Sequence, residues 1–428
     1  RLYAKLSPLA TSTTQRGRPR PPHPPSAALI WSVLLSVVTF GLCFVPLFNL
    51  LGYESSLALA AAASLFCVPV GVRAAAAPSL RAALGRAGAA ALCLLPPLGL
   101  LLANGLRVRN CDYLAGLGFF LALPLPSALL ASGLGLCCGL WLRRPRLGAY
   151  ALLFVISVLW TLWRVLATPA VFAYDPFFGF FPGSLYDEEL TLSAAFYWAR
   201  LHQLAWLAGA VCVSAAAYDP AASPRGRWSA LRSSIAVPGP RRRALAAGGC
   251  ALVVALVIFW QRGELGFSRD AAEVQRTLSR ERVTRHFVLR YAPGGGVARD
   301  IELYAREHEL RYRQLREALG VEPQWPEGGL RRWLLAITAP RGAVVSYLFD
   351  STQRKRELMG ASNTYIAKPW RREIYLQHDG WPHPVLKHEL AHLFAGAAGD
   401  PLLRLSRRGL FPELALVEGL AVAADFRG

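Results

Sequence analysis

The residues His388-Glu389-Leu390-Ala391-His392 set two imidazoles four positions apart, with a carboxylate beside the first. On an α-helix, positions i and i+4 lie one above the other on one face, so both rings can reach a single metal ion. Glu389 then sits where it can hold and deprotonate a water next to that ion without being a ligand itself. A random arrangement of the chain's 8 histidines and 17 glutamates produces this HExxH pattern with a probability of about 0.006. Two surface histidines on a solvated helix are the ordinary alternative. Leu390, Leu393 and Phe394 argue against it, because they give the helix an apolar face that must be packed.

A catalytic zinc needs a third protein ligand and an open fourth position. Glu418, 26 residues after His392, is the best candidate, because a lone carboxylate among Leu414, Leu416, Val417, Leu420 and Val422 is costly unless paired or metal-bound. Glu413 is weaker, since an acid in a first helical turn beside Pro412 has a capping explanation. Asp425, about two turns after Glu418 on the same face, can accept a hydrogen bond from a ligand imidazole, or simply end the helix in solvent. His23, His202, His286, His308 and His378 show no ligand spacing and read as structural.

The elements that must position these residues lie in a charged segment, 262–428, with 26 basic and 20 acidic residues and a mixed α+β pattern. A linker helix over 262–285 starts at a Ser268 or Asp270 cap and runs to about Arg282, and the catalytic domain follows over 286–428. His286 to Ala292 alternates as a strand, and Asp300 to Leu319 forms a long amphipathic helix laced with Arg and Glu. Arg332 to Thr338 predicts a second strand and residues 343–350 a short helix. Gly360 to Ala367 and Glu373 to Gln377 predict a hairpin turning through Lys368 to Arg372. The HExxH helix starts near Pro384 and stops by Gly396 or Gly399, and a last helix spans about Pro412 to Asp425.

The first 261 residues are of another kind. Hydrophobic residues make up 54% of the 428 and charged residues 17%, against roughly 25% in an ordinary globular domain. Residues 1–26 are basic and rich in proline and read as a disordered tail. Seven apolar runs follow, at about 27–50, 55–72, 87–106, 113–142, 147–166, 201–218 and 244–261, each near the ~20 residues a bilayer requires. With the tail cytoplasmic, the inside segments hold 17 basic residues against one acid, Asp219, which is the positive-inside pattern. Most of the net charge of +20 is therefore a topology signal, and nucleic-acid binding loses its main support. Seven crossings put the catalytic domain outside the cytoplasm. The loop 168–189 carries Phe172, Tyr174, Phe177, Phe178, Phe180, Phe181 and Tyr186 and reads as an aromatic belt in the headgroup region, with a substrate-capturing element as the alternative. All eight cysteines fall in this apolar part without a CxxC motif, so zinc-thiolate and redox chemistry are excluded. The chain opens on Arg1 and closes at Gly428 just after a helical pattern, so both ends read as cuts within a longer chain.

HELAH, followed about two dozen residues later by VEGLAV, resembles the gluzincin branch of zinc metallopeptidases, whose fold is similar to the catalytic part of thermolysin. From about His286 the chain is also similar to bacterial extracytoplasmic peptidase-like domains of that superfamily, with a strand, a long helix, a strand, a hairpin and then the HExxH helix. The likeness covers about 140 residues and is specific only at the zinc motif. It implies that His388, His392 and Glu418 bind Zn2+, that Glu389 is the general base, and that the edge strand pairing with substrate falls at Gly360-Ala361-Ser362-Asn363. The chain departs from the thermolysin pattern at Val422, where an Asp stands four residues after the ligand Glu. It also shows no oxyanion-stabilising Tyr or His after Glu418; Tyr365 and His383 are the available substitutes.

The expectation is thus a multi-pass α-helical membrane domain of about seven spans followed by an α+β zincin-like catalytic domain. It would be a membrane-anchored zinc metallopeptidase of the cell membrane, hydrolysing peptide or protein substrates with a zinc-activated water. The alternative is a non-enzymatic membrane sensor or scaffold with a peptide-binding domain. An intramembrane protease is disfavoured, because His383, Lys387, His388, Glu389 and His392 crowd a helix that would have to be a span.

Overall fold

The computed structural model of the chain describes residues 27–144, 146–182, 190–219, 222–236, 238–325, 328–400, 404, 407–408, 411–412 and 414–425. The basic tail 1–26, the acidic end of the aromatic loop and Glu413 lie outside the described residues.

The apolar runs fold as helices. α1 covers Ala27–Leu42; α2 (Tyr53–Phe66) and α3 (Val68–Ala74) are one stretch interrupted at Cys67, next to Pro69. α4 (Leu80–Gly88) continues through a 3-10 turn into α5 (Leu95–Asn104), then α6 (Tyr113–Ala122) and α7 (Pro124–Trp141) are joined at Leu123, and α8 spans Arg146–Ala167. A short hairpin, β1 (Ala173–Asp175) and β2 (Gly179–Phe181), leads to α9 (Ala194–Ala216), α10 (Pro224–Ala236) and α11 (Pro240–Trp260). Among the described residues five stretches are long and apolar enough to cross a membrane: Tyr53–Ala74, Leu80–Asn104, Tyr113–Trp141, Arg146–Ala167 and Pro240–Trp260. That is fewer than the seven runs of the sequence pattern. α1 is only 16 residues long, and the 23-residue α9 carries Arg200, His202 and Gln203, which dilute its hydropathy.

Arg200 is buried and fully used. Its guanidinium donates to the carbonyls of Ala122, Leu123 and Pro176, to Gln203 Oε1 at 2.9 Å and to Ser127 Oγ. Asp175, with no exposure, accepts from the hydroxyls of Ser157 and Thr161, both at 2.7 Å, and from the Phe177 amide. These two residues fix the aromatic loop on the helices. Phe172 and Phe177 are buried and Tyr174 stacks on Phe180 at 4.9 Å, so these rings pack inward rather than forming the expected headgroup belt, whereas Phe181 is exposed and Tyr186 lies outside the described residues. The buried Asp175 and the β1–β2 turn draw them there.

Beyond α11 the sequence changes period and builds a sheet. α12 (Ala271–Thr277) is capped by Asp270, and β3 (Arg280–Val283) pairs antiparallel with β4 (Phe287–Tyr291). The linker helix is thus shorter than the sequence suggested, ending where Arg280 enters the sheet. α13 (Gly295–Leu319) crosses over to β5 (Val344–Phe349), after the short α14 (Gly329–Leu334). Here two expectations are overturned: Arg332 to Thr338 is helix and turn, and residues 343–350 are a strand. All six residues of β5 are buried, and a strand covered on both faces loses the alternation that would announce it. α15 (Thr352–Met359), β6 (Ile366–Lys368), β7 (Glu373–Gln377) and α16 (Leu386–Ala395) follow. A minimal ladder, β8 (Arg407–Arg408) with β9 (Phe411–Pro412), precedes α17 (Leu414–Ala424). The sheet order is β3-β4-β5-β7-β6, parallel in the centre and antiparallel at both edges. α13, α16 and α17 cover one face of it.

The β6–β7 turn joins the two regions. Lys368 Nζ donates to the carbonyls of Val165 (2.9 Å), Thr168 (2.7 Å) and Ala170 (3.2 Å), and Trp370 Nε1 to that of Leu166. Arg371, fully buried, reaches the Ala167 carbonyl and forms a bidentate pair with Glu373. The last carbonyls of an α-helix have no partner within it and carry partial negative charge, so cations and N–H donors belong there. Removing one member of a buried ion pair costs about 3–5 kcal/mol, because the other charge is left uncompensated. Arg371→Leu should therefore lower the thermal midpoint of the full chain in detergent by several degrees, and Arg371→Leu with Glu373→Leu should recover part of the loss. A double variant less stable than the single one would show that this charge pair is not what holds the junction.

Candidate metal centre

α16 has Leu386, Glu389, Leu390 and Leu393 on its buried side, and Phe394 rests against Tyr312 of α13 at 5.1 Å. That packing leaves His388 and His392 on the other side, their rings 4.9 Å apart and perpendicular. α17 lies against α16 through Val417, Ala421 and Ala424, which places Glu418 opposite the two rings. Its Oε2 stands 3.4 Å from His388 Nε2 and 3.6 Å from His392 Nε2. One ligand atom from each of the three residues lies within 4.8 Å of the others.

The donor set suits a metal. Zinc–ligand distances of about 2.0–2.1 Å in a tetrahedron put neighbouring ligands roughly 3.3–3.5 Å apart, the spacing that Glu418 keeps from both imidazoles. Both gaps are long for a hydrogen bond, and without a metal the same approach could be an ion pair of the carboxylate with a protonated imidazole. Two imidazoles and a carboxylate bind several divalent ions, zinc among them. Side-chain exposure rises from 11% at His392 through 21% at His388 to 59% at Glu418, so a reactant reaches the cluster from the Glu418 side. Glu418 is therefore not a buried carboxylate, and its place facing the two rings, rather than desolvation, makes it a candidate ligand.

Glu389 is 6% exposed, and burial pushes its carboxyl up to about 8, with Glu418 adding to the rise and Lys355 opposing it. A divalent cation among the three ligands would favour the ionised form. Lys355 was not legible as a site residue. It lies in the polar helix α15 yet is fully buried, with Nζ donating to the Thr364 carbonyl (2.6 Å) and Gln377 Oε1 (2.8 Å) beneath the Tyr365 ring. Only the fold, which turns α15 under β7, brings this cation towards Glu389.

The other expected residues separate. Tyr365 borders the site and feels the charge of Glu389, while its hydroxyl donates to Asp379 Oδ2 at 2.8 Å. His383 uses both ring nitrogens within the protein, one with the Gln377 carbonyl and one with the Val385 amide, so it has none left for an oxyanion. Gly360-Ala361-Ser362-Asn363 is not a strand. Gly360 closes α15 in a left-handed conformation (φ +90°) against Phe172, Ala361 is buried, and the edge strand β6 starts only at Ile366. Asp425 lies seven residues beyond Glu418, roughly 10 Å along α17, and makes no contact with either ligand imidazole among the described residues. The buried Nδ1 of His392 accordingly has no hydrogen-bond partner. Among the histidines read as structural, His308 is buried between the Tyr304 carbonyl and Ser346 Oγ, and desolvation lowers it to about 4. His286 pairs with Glu309 at 2.7 Å.

No protein-family model, curated protein or solved structure matches this chain. The metal cluster therefore stands on its own geometry. His388→Ala, His392→Ala and Glu418→Ala should each lower the metal content of purified protein by elemental analysis to well under half the wild-type value. Undiminished metal in Glu418→Ala would move the third ligand to another carboxylate, Glu413 first.

Proposed function

We propose that this chain is a membrane-anchored zinc metallopeptidase of the gluzincin type. The reading rests above all on the convergence of His388, His392 and Glu418 on one point, with Glu389, the residue after His388, buried and acted on by the charge of Glu418. The order of elements adds support: β4, the long helix α13, β5, the β6–β7 hairpin and then the HExxH helix follow the sequence that the resemblance implies.

Zinc held by these three ligands would supply a Lewis acid with an open coordination position. Glu389 takes the proton of the attacking water and returns it to the leaving nitrogen. A divalent cation would favour the ionised carboxylate that the first step needs, while burial favours the protonated form that the second step uses. β6 is the outer strand of the sheet and α16 packs against it, so an extended peptide would lie along β6 with its scissile bond over the imidazoles. Tyr365, just before β6, borders that path.

The domain lies outside the cytoplasm in this reading, with α1 and α9 completing seven crossings. The arginine-rich loops support it, and so do the contacts that gather helix ends. Asn104 Nδ2 meets the Asn49 carbonyl, Tyr53 meets the Phe180 carbonyl, and Trp163 Nε1 meets the Leu334 carbonyl, all towards the sheet. Tyr218 meets the Ala77 carbonyl and Arg227 that of Leu140 at the opposite helix ends.

Two measurements test the proposal. A reporter active only outside the cytoplasm should be active when fused after Gly263 and silent near Arg225; the reverse would sink the seven-crossing topology. Glu389→Gln keeps size and hydrogen bonding while removing the proton acceptor, so zinc content should hold and peptide cleavage should fall by about 10²- to 10⁴-fold. Equal cleavage by both forms would refute the assigned base. A zinc-loaded wild type that cleaves nothing across a diverse peptide library would favour a peptide-binding scaffold.

A further inference from the structure

A cavity of about 480 Å³ opens among α7, α8, α9 and α11, within the range of small-ligand pockets. Its walls are apolar, with Leu130 and Leu134 from α7, Trp160 from α8, Leu207 and Ala210 from α9 and Phe259 from α11. Most of the polar side chains among these walls are engaged within the protein. Ser157 and Thr161 donate to Asp175, Gln203 Oε1 accepts from Arg200, and Trp206 Nε1 donates to His202 Nε2 at 2.9 Å. An occupant of this part meets a mainly apolar surface and should itself be largely apolar.

The mouth differs. Arg164, in the last turn of α8, and Arg262, just after α11, both line it. Each guanidinium has five N–H groups. Arg164 donates one bond, to Ser268 Oγ at 3.0 Å, and Arg262 one, to the Phe259 carbonyl. Among the described residues neither forms an ion pair, although Arg262 lies over the Phe259 ring at 4.4 Å and Arg164 feels both the like charge of Arg262 and the opposite charge of Asp270. Two guanidiniums with unused donors at the rim of an apolar cavity complement a phosphate carrying a hydrocarbon chain. The flanking helices α8 and α11 are only 11% and 17% enclosed by the rest of the chain, so the opening can be reached sideways from a bilayer. Trp160 and Trp163, 4.9 Å apart at the same end of α8, suit the headgroup level.

We propose that this cavity is a binding site for an anionic phospholipid, one acyl chain filling the space among α7, α8, α9 and α11 and the phosphate held by Arg164 and Arg262. The site is separate from the metal cluster and does not depend on it.

Native mass spectrometry of the full chain in detergent, titrated with phosphatidylglycerol or phosphatidylcholine of identical chains, tests it. Phosphatidylglycerol should be retained more strongly, and Arg164→Gln and Arg262→Gln should each weaken its retention about fivefold. Arg243→Gln, at the opposite membrane surface, should leave it unchanged. Ala210→Trp should block the cavity and abolish retention of both lipids; Leu134→Phe, which fills the same space from α7, serves if the first variant does not fold. Inorganic phosphate in excess should fail to displace the lipid. Equal retention of the two lipids, an unchanged affinity in the double arginine variant, or full displacement by phosphate would overturn the proposal.

Discussion

The junction between the helix end at Ala167 and the β6–β7 turn is the constraint on which the arrangement rests. Val165, Leu166, Ala167, Thr168 and Ala170 present carbonyls that the membrane helix cannot satisfy, and Lys368, Trp370 and Arg371 supply the missing donors. A cluster of backbone acceptors with partial negative charge, buried against cations, is stable only when every member is in place. The turn is therefore held at one position relative to α8. β6 and β7 leave from that turn, and α16 rests on both, so the orientation of the two imidazoles follows from a contact some twenty residues earlier in the sequence.

Buried charge recurs throughout, and each instance is resolved by a different partner. Arg200 is neutralised by carbonyls and hydroxyls, Arg371 by Glu373, and Lys355 by a carbonyl, an amide oxygen and the face of Tyr365. Glu389 is the exception. No hydrogen bond satisfies its carboxylate among the described residues, and its pKa rises accordingly. A buried acid left without a partner is costly wherever it serves only the fold, which is why strained ionisation marks sites of chemistry.

How much of this was legible in the sequence depended on period. The HExxH helix and the long helix ending at Leu319 were readable because each has one buried and one exposed side, and the strand Glu373 to Gln377, buried on both faces, was readable from its place after the turn Lys368 to Arg372. β5 was misread because Val344 to Phe349 are buried on both faces, and the short helix Gly329–Leu334 because six residues are too few to show a 3.6 period. Of the seven apolar runs, the two that fall short by length or composition are α1, with 16 residues, and α9, whose Arg200 lies in satisfied contacts that composition alone scores as polar. Of the candidate site, the closeness of His388 and His392 was readable from their spacing and Glu418 was singled out as a lone carboxylate among apolar residues, although it is exposed; Lys355 depends on how α15 folds against the sheet.

The three ligands are not held equally, and the difference has an energetic consequence. His388 and His392 belong to a helix whose leucines and Phe394 fill the main core, so their positions are set before any ion arrives. Glu418 sits on α17, where among the described side chains those buried are Val417 and the small Ala421 and Ala424. At roughly 25 cal/mol per Å² such a stripe contributes little, and the helix is anchored correspondingly weakly. A metal bound by all three residues would link α17 to α16 directly. An ion at a hundredfold excess over its dissociation constant adds about 2.7 kcal/mol to whatever state binds it, so the docked position of α17 would gain most from occupancy. The exposed carboxylate that leaves the site open to a reactant is thus the same group whose ligation would hold the last helix in place.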